Sequence, residues 1–423
     1  MRQFSGCRWV SRLNPASLDR AATNLANAFN PRSNSIGFLR FAFAAAVLLN
    51  HSYILGGFGA DDALMYWSHG QISFASMAVD GFFVLSGYLI TRSYLSSSSP
   101  ARYVWRRFIR IFPAFWVCVA LTALICAPIV FLREHGTLAG ANWIKGDDSP
   151  VDYLLNNGLL FMGQWNIWHL LSSVPLTRMQ ENFGVPSGAN AFDRSLWTLR
   201  YEWDAYVLVA VAGALGVLTR VRAGVVAWAM FLAASLLAAS QPGWVDHLPK
   251  GAGLHAMFGD LDRLRLWFLF ALGAVMYLYA KRIPMRLSHG LVAASILVAT
   301  LAFDGYAVIG RIAFAYLCMW LAVFLPIRNF DSRGDFSYGV YIYGWLVSQM
   351  LAVFHLYELG PVAFIGLSAI IALGFAVLSW YFVEAPAQRL RSLKPPTLSF
   401  APIRETLLAG AHRGAAVVTT LVR

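Results

Sequence analysis

The chain has 423 residues, of which 58% are hydrophobic and 13% are charged. Soluble proteins carry about a quarter of their residues as charged side chains, so this composition excludes an ordinary soluble domain and predicts an all-α, polytopic membrane bundle. The net charge of +12 comes mainly from arginine; in a membrane protein such an excess marks cytoplasmic loops, and no binding to nucleic acid is expected.

Apolar windows of about 20 residues, the length of a membrane-crossing helix, predict about ten transmembrane helices. The predicted spans begin near Ile36, Phe74, Ile111, Trp203, Ala223, Leu264, Ser288, Ala307, Ser337 and Pro361. We therefore expect one transmembrane domain over residues 36–383, with tails at 1–35 and 384–423 and a long external connection over about 133–194.

The basic residues alternate between the predicted connections. One set of connections is rich in arginine, as in the stretch 102–110, whereas the other set carries few basic residues. Residues 1–35 lack the basic, apolar and small-residue order of a signal peptide. By the positive-inside rule, this pattern predicts an even number of spans with both termini in the cytoplasm.

The first predicted span contains two ionisable side chains, Arg40 and His51. Burying such a group in a membrane span costs a few kcal/mol at least, so the pair calls for a functional explanation. A helix rises about 1.5 Å per residue, which separates the two by about 16 Å along the axis. We expect Arg40 near one face of the bilayer and His51 past its middle, in a site that holds a charged donor at one end and reacts deep inside.

Two carboxylates are predicted at a depth close to that of His51. Asp80 lies in the second span, and Glu202 lies at the start of the fourth. A carboxylate beside an imidazole raises its basicity and fixes its tautomer, as a general base for a sugar hydroxyl requires. The alternative for each acid is a polar pair that only holds helices together. For Glu202, a further alternative is an ion pair with the nearby Arg200.

Three arginines, Arg106, Arg107 and Arg110, lie within five positions at the cytoplasmic mouth of the third span. Guanidinium groups bind phosphate oxygens bidentately, so this cluster is a candidate for holding the nucleotide phosphates of a coenzyme. The alternative is that the arginines follow the positive-inside rule and contact anionic lipid, which is the usual meaning of such a cluster.

The external connection is rich in aromatic residues, among them Trp143, Trp165, Trp168 and His169. Aromatic faces pack on the C–H faces of sugars, so these residues fit a glycan site. Tryptophan also collects at the membrane–water interface, and an interfacial belt is the simpler interpretation.

Several motifs, in order along the chain, resemble those of the membrane-bound acyltransferase 3 family of bacterial O-acyltransferases. They are Leu-Arg with a histidine eleven positions after the arginine (39–51), Asp-Gly-Phe-Phe-Val-Leu-Ser-Gly (80–87), Arg-Arg-Phe-x-Arg-Ile-x-Pro (106–113), Ser-Leu-Trp-Thr-Leu (195–199), Ser-Tyr-Gly-Val-Tyr (337–341) and Glu-x-Pro (384–386). The chain departs from the family pattern at Trp203, where a second glutamate is expected, and at Gly344, where many members carry histidine. The variant at Gly344 is similar to the branch that acts on exopolysaccharide and lipopolysaccharide.

The resemblance implies a multi-pass O-acetyltransferase of the bacterial inner membrane. It implies transfer of an acyl group, usually acetyl, from cytoplasmic acyl-CoA to a hydroxyl of an extracytoplasmic glycan, such as exopolysaccharide, O-antigen or a lipid-linked sugar. Acetyl-CoA, the glycan and membrane lipid are thus the expected partners, and a homo-oligomer is compatible with the sequence. The four cysteines have no CxxC spacing, so no metal site is expected.

Physical chemistry suggests roles for the singled-out residues. Our hypothesis is that the arginine cluster of the third span holds coenzyme phosphates, while Arg40 holds the donor arm or stabilises charge near the thioester. His51 would deprotonate the acceptor hydroxyl or relay the acyl group, with Asp80 or Glu202 orienting its ring. The sequence does not distinguish direct attack from a covalent relay.

Two other classes of protein fit the same residues. A transporter or flippase of glycan precursors also uses many spans and buried ionisable groups as a proton relay. The third interpretation is that the protein is a noncatalytic partner of a polysaccharide synthase. Consumption of acetyl-CoA in the presence of glycan separates an enzyme from a transporter, and loss of acylation in His51→Ala separates it from a noncatalytic partner.

Overall fold

The computed structural model describes residues 24–144, 146, 148–177, 190–239 and 260–393, and the regular secondary structure of these residues is entirely helical. The all-α prediction is therefore confirmed for this part of the chain. Residues 1–23 of the predicted N-terminal tail, residues 394–423 of the predicted C-terminal tail and residues 178–189 of the external connection lie outside the described residues.

Ten helices of 16 residues or more build the bundle within the described ranges. They are α1 (Ile36–Leu55), α2 (Phe74–Leu95), α3 (Pro100–His135), α4 (Trp197–Ala214), α5 (Arg222–Ala239), α6 (Leu261–Leu278), α7 (Leu287–Ala302), α8 (Tyr306–Phe324), α9 (Ser337–Val353) and α10 (Pro361–Ser392). Each predicted span start falls within one of them.

Six of these helices, α1, α2, α3, α5, α8 and α10, are long and apolar enough to cross a membrane. The chain is thus a multi-pass membrane protein. The other four helices are shorter or more polar, so ten crossings, like the cytoplasmic position of both termini, stay predictions. Short helices lie in the connections: Leu25–Ala28, Ala63–Trp67, Pro150–Asn157 and Val217–Arg220.

Two helix boundaries differ from the sequence prediction and bear on the site. Helix α3 begins at Pro100 rather than near Ile111, because the Ser99 side chain caps its N-terminus and proline suits the first helical position. The predicted arginine cluster therefore lies on the first turns of a helix. Helix α10 continues past the predicted domain end at 383 through a π-helical turn, Trp380–Glu384, which keeps Glu384 on the helix.

Helices α2 and α6 pack backbone against backbone in the middle of the bundle. A Cβ added to Gly87 would lie 2.0 Å from the carbonyl oxygen of Phe270, and one added to Gly273 would lie 2.1 Å from that of Val84. Small residues let membrane helices approach this closely. The contact fixes the charged first turns of α6 against α2.

Gly87→Ala is expected to destabilise the protein by about 1–3 kcal/mol. The added methyl group meets backbone atoms of Phe270, which cannot move aside as a side chain does when it changes rotamer. The thermal midpoint of purified protein in detergent measures the effect. Gly366→Ala in α10 is the matched control, since a Cβ there meets no atom within 4 Å. Equal midpoints for the two variants would contradict the close packing of α2 on α6.

Part of the predicted external connection folds into the bundle. Residues 190–196 lie between α3 and α9, where Trp345 Nε1 donates to the carbonyl oxygen of Ala191 at 3.1 Å. The fully buried Asp193 accepts a hydrogen bond from the Cys118 thiol, and burial raises the pKa of this carboxyl to about 7. This segment therefore packs inside the bundle against α3 and α9, and it leads directly into α4.

The aromatic residues of the external connection form a cluster. The rings of Trp143 and Trp168 meet edge to face with centroids 5.2 Å apart, and Trp168 Nε1 donates to the carbonyl oxygen of Asn142. His169 is exposed and lies 3.3 Å from Asp148. Contact of this cluster with a glycan stays a prediction.

Candidate active site

Four segments distant in sequence meet in one ion cluster at the arginine-rich end of the bundle. Arg40 Nη1 lies 2.5 Å from Asp335 Oδ2, and Arg110 Nη2 lies 2.6 Å from the same oxygen. Arg110 Nη1 also lies 3.2 Å from Glu384 Oε2. The cluster joins α1, α3 and α10 to the connection that precedes α9, and it holds the Arg40 side chain in place.

Two arginines and two acidic side chains make up this cluster. Burial alone raises the pKa of Asp335, but Arg40, Arg110 and a hydrogen bond from Ser337 outweigh it and hold this pKa well below its usual range. Asp335 is therefore ionised at neutral pH. Arg110, proposed from sequence as a phosphate ligand, has both ends of its guanidinium engaged by Asp335 and Glu384.

Sequence reasoning missed Asp335 and did not assign a role to Glu384. Asp335 stands in a short polar connection, where an acid is ordinary, and its partners come from helices more than 200 residues earlier. Glu384 was visible only as part of the Glu-x-Pro motif. An arginine at membrane depth requires a counter-ion, so a search for acids at the same end of other spans would have found Glu384.

Arg40 opens onto a narrow cleft between α2, α3, α4 and α9. Two small cavities of about 40 and 70 Å³ share Arg40, Ser86, Glu202 and Tyr338 in their walls. One water molecule takes about 30 Å³ of liquid, so each cavity holds a few waters at most.

Glu202 faces this cleft rather than its neighbour in sequence. Its carboxylate accepts hydrogen bonds from the hydroxyls of Tyr206 and Ser86. Arg200 instead lies 4.0 Å from Asp204. The predicted alternative, in which Glu202 serves only as the partner of Arg200, is therefore wrong, and the structure places Glu202 in the same cleft as Arg40.

His51 lies toward the other end of α1, apart from both predicted carboxylates. Its ring meets the Trp345 ring edge to face with centroids 4.9 Å apart, and Arg194 of the buried segment 190–196 lies close enough to act on its charge. Within the described residues, His51 has no hydrogen bond to Asp80 or Glu202. Neither acid orients the imidazole in this structure.

Asp80 is fully buried and serves as the counter-ion of two arginines. Its carboxylate lies 3.1 Å from Arg311 Nε and 3.5 Å from Arg265 Nε, and it accepts a hydrogen bond from Tyr306. A buried carboxylate needs such partners, and α6 and α8 supply them. The structure thus brings Asp80 to these arginines and not to His51, which corrects the expected role of orienting the ring.

The Asp80 cluster extends toward His51 through a row of charges. Arg265 Nη2 lies 3.2 Å from Asp262, and Asp262 in turn interacts with Arg194, the neighbour of His51. Sequence reasoning missed Arg194, Arg265 and Arg311. The last two were detectable as ionisable residues inside apolar windows, but their pairing with Asp80 depends on how three distant helices pack.

The arginine cluster of α3 gains a fourth member in the structure. Arg391, at the end of α10, lies close enough to Arg106, Arg107 and Arg110 to interact with all three, and its Nε is buried without a hydrogen-bond partner among the described residues. Arg107 donates to Ser93 Oγ and enters the wall of the cleft. Arg391 belongs to the predicted C-terminal tail, 384–423, and sequence reasoning assigned it no role.

Fold and site together define a class: a multi-pass membrane protein with charged side chains and a histidine inside its helical bundle. The chain belongs to the acyltransferase 3 family, whose model, described as an acyltransferase domain, matches residues 33–383. The family resemblance read from the motifs is confirmed, and the protein is an acyltransferase of the O-acyl and O-acetyl type.

Named relatives agree with this family. An O-acetyl transferase of Shigella phage Sf6 is 29% identical over 383 residues, covering 87% of this chain and 99% of the relative. Nodulation protein 10 of Rhizobium leguminosarum bv. viciae is 26% identical over 383 residues, covering 85% and 94%. A Bacillus subtilis (strain 168) protein, provisionally named a peptidoglycan O-acetyltransferase, is 27% identical over 356 residues, covering 76% and 51%. No solved structure gives a significant match.

Proposed function

We propose that this protein transfers an acetyl group from acetyl-CoA, taken from the cytoplasm, to a hydroxyl of an extracytoplasmic glycan at the bacterial inner membrane. The observation that carries the proposal is the placement of Arg40 and His51 on one helix, α1. Arg40 lies in a cleft at the arginine-rich end of the bundle, and His51 lies eleven positions further along the same helix. A donor from one side and an acceptor from the other meet along this helix.

In the donor half of the reaction, positive charge binds phosphate. Arg106, Arg107 and Arg391 gather at the mouth of the cleft, whereas the nearby Arg110 is balanced by two acids. Guanidinium groups bind phosphate strongly through paired hydrogen bonds. These three arginines are thus proposed to bind the coenzyme's phosphates, while Arg110 with Asp335 positions Arg40.

In the transfer half, His51 accepts the proton of the acceptor hydroxyl, or takes the acyl group and passes it on. The Trp345 ring fixes the imidazole from one side. Arg194, whose charge acts on His51, is proposed to stabilise negative charge that develops on the carbonyl oxygen during acyl transfer. Glu202 lies further along the cleft, beside Arg40, where its carboxylate accepts hydrogen bonds from the hydroxyls of Ser86 and Tyr206.

The acceptor is proposed to be a surface glycan such as exopolysaccharide or O-antigen. One relative carries peptidoglycan in its provisional name, which supports a glycan acceptor, and the aromatic cluster around Trp143 and Trp168 offers ring faces for sugars. At position 344, where many family members carry histidine, this chain has a glycine that packs against Leu48 of α1. Position 344 of α9 therefore supplies no imidazole to the reaction. Assembly of the protein as a homo-oligomer is part of this proposal and rests on no described contact.

Purified protein with acetyl-CoA labelled in the acetyl group tests the reaction. We expect release of free thiol and transfer of label to glycan only when both substrates are present. A transporter or flippase would leave the thioester intact, and a noncatalytic partner would transfer no label by itself. Mass spectrometry of surface glycans from cells with and without the gene then identifies the acceptor from the lost mass of an acetyl group.

Arg391→Gln is expected to raise the KM for acetyl-CoA about tenfold with a smaller change in kcat, because a phosphate contact acts on binding of the donor. Initial rates at varied donor concentration measure the two constants. Arg389→Gln is the matched control, since Arg389 is exposed and has no part in the arginine cluster. Equal KM values for Arg391→Gln and the control would remove Arg391 from the donor site.

A further inference from the structure

A second cavity lies at the arginine-rich end of the bundle, on the far side of α2 from the candidate active site. It is open to solvent on one side and has a volume of about 750 Å³ between the helix Leu25–Ala28 with the segment after it, the ends of α2 and α6 and the start of α5. Its walls carry four basic side chains: Arg92, Arg222, Lys281 and Arg282. This volume is more than ten times that of either cavity beside Arg40.

The two sites are separate. Ser86 and Leu89 of α2 face the candidate active site, whereas Tyr88 and Arg92 of the same helix face the second cavity. The backbone contact at Gly87 closes the space between α2 and α6. Among the residues that the structure describes, none lines both the second cavity and the cleft beside Arg40.

The basic side chains of this cavity lack counter-ions among the described residues. None of Arg92, Arg222, Lys281 and Arg282 forms a salt bridge there, and no acidic side chain lines the wall. Arg222, Lys281 and Arg282 are exposed and Arg92 is half-buried. Cations around a common concave surface repel one another, and an anion bound between them removes this repulsion. The positive-inside rule explains basic residues at this end of the bundle, but it does not explain their arrangement around a cavity.

The remaining wall of the cavity is amphipathic. The rings of Tyr88 and Tyr277 pack edge to face at 5.4 Å, and the Arg282 guanidinium lies 5.6 Å from the centroid of Tyr279. Tyrosine supplies both an apolar ring face and a hydroxyl donor. The cavity thus combines positive charge, hydrogen-bond donors and flat apolar surface.

We propose that this cavity binds the phosphate groups of a phosphate ester, separately from the site of acyl transfer. Guanidinium and ammonium groups neutralise phosphate oxygens, and the tyrosine rings cover an adjoining ring or chain. Two sources present this chemistry at the end of a membrane bundle: a soluble polyphosphate and the head group of an anionic lipid. The proposal concerns binding alone and stands whether or not the proposed acetyl transfer is correct.

The test uses the full chain in nanodiscs. In phosphatidylcholine discs, calorimetric titration with inorganic pyrophosphate measures the soluble source. In discs with added phosphatidylglycerol, native mass spectrometry counts the retained lipid. The double variant Arg92→Gln/Lys281→Gln is expected to weaken binding of one of these probes at least tenfold, because each lost cation removes a charge-assisted hydrogen bond.

Two further variants control for charge and for folding. Arg328→Gln/Arg333→Gln removes two exposed arginines from the connection between α8 and α9, outside the cavity, and is expected to change binding less than about twofold. Ala26→Trp fills the cavity from an exposed position without changing its charge, and is expected to weaken binding as well.

Loss of pyrophosphate binding in the two cavity variants alone would support a soluble polyphosphate. Loss of lipid retention in these variants alone would support an anionic lipid. The proposal is overturned if neither probe binds the wild-type protein, or if the variant with arginines removed outside the cavity loses as much binding as the cavity variants.

Discussion

His51→Ala is expected to lose acyl transfer almost completely while the protein still folds. General acid–base action contributes about a hundredfold to ten-thousandfold in rate, and a covalent relay through the same imidazole would be lost entirely. The side chain meets Trp345 only edge to face, so its removal leaves the helix contacts of α1 in place. Transfer of labelled acetyl to glycan, per amount of folded protein, measures the loss.

A matched control is His289→Ala in α7, because His289 is exposed and lies outside the candidate site. It should keep the wild-type rate. Wild-type protein incubated with labelled donor and no acceptor then distinguishes the two roles of His51: label bound to protein indicates a relay, and its absence indicates direct attack. Normal acylation by His51→Ala would reject His51 as the reacting group.

The sequence predicted the helices well because apolar windows and helical length carry most of that information. All ten predicted span starts fall in helices, and Arg40 and Glu202 reach the same cleft. Arg40 was found because an arginine within an apolar window stands out by itself. Glu202 was found because it is a carboxylate at the start of an apolar span.

What the sequence did not reveal is pairing across helices. Asp80 was expected beside His51 from its depth alone, but depth does not specify which way a helix turns its side chains. In the structure Asp80 points to Arg265 and Arg311, on helices about 190 and 230 residues later in the chain. The partner of Arg40 was missed for the same reason, since Asp335 lies in a connection that looks ordinary in sequence.

The interior of the chain therefore divides into two charged regions joined by α1. One is the Asp335 cluster around Arg40, and the other is the row from Asp80 to Arg194 beside His51. Each region pairs charged residues from several segments of the chain, so a change in helix packing alters both the pairing and the position of the groups. Any movement of these helices must therefore keep these ion pairs or replace them with other contacts.

Asp335→Asn is expected to reduce both stability and acyl transfer, because it leaves Arg40 without its acid partner and Arg110 with Glu384 alone. Removing one partner of a fully buried ion pair costs about 3–5 kcal/mol, and we expect a smaller loss here because Arg40 and Asp335 are only partly buried. Thermal unfolding in detergent measures the stability, and the rate at saturating and limiting donor measures the function. Asp331→Asn, in an exposed position four residues earlier, is the matched control.

A double-mutant cycle with Arg40→Gln separates the two effects of Asp335. If Asp335 acts through Arg40, the double variant should lose little more activity than either single variant, and the coupling between the two should be about 0.5–3 kcal/mol. Additive losses would mean that Asp335 and Arg40 act independently. Stability and activity equal to those of Asp331→Asn would show that the ion cluster at the mouth of the cleft neither holds the bundle together nor positions Arg40 for the donor.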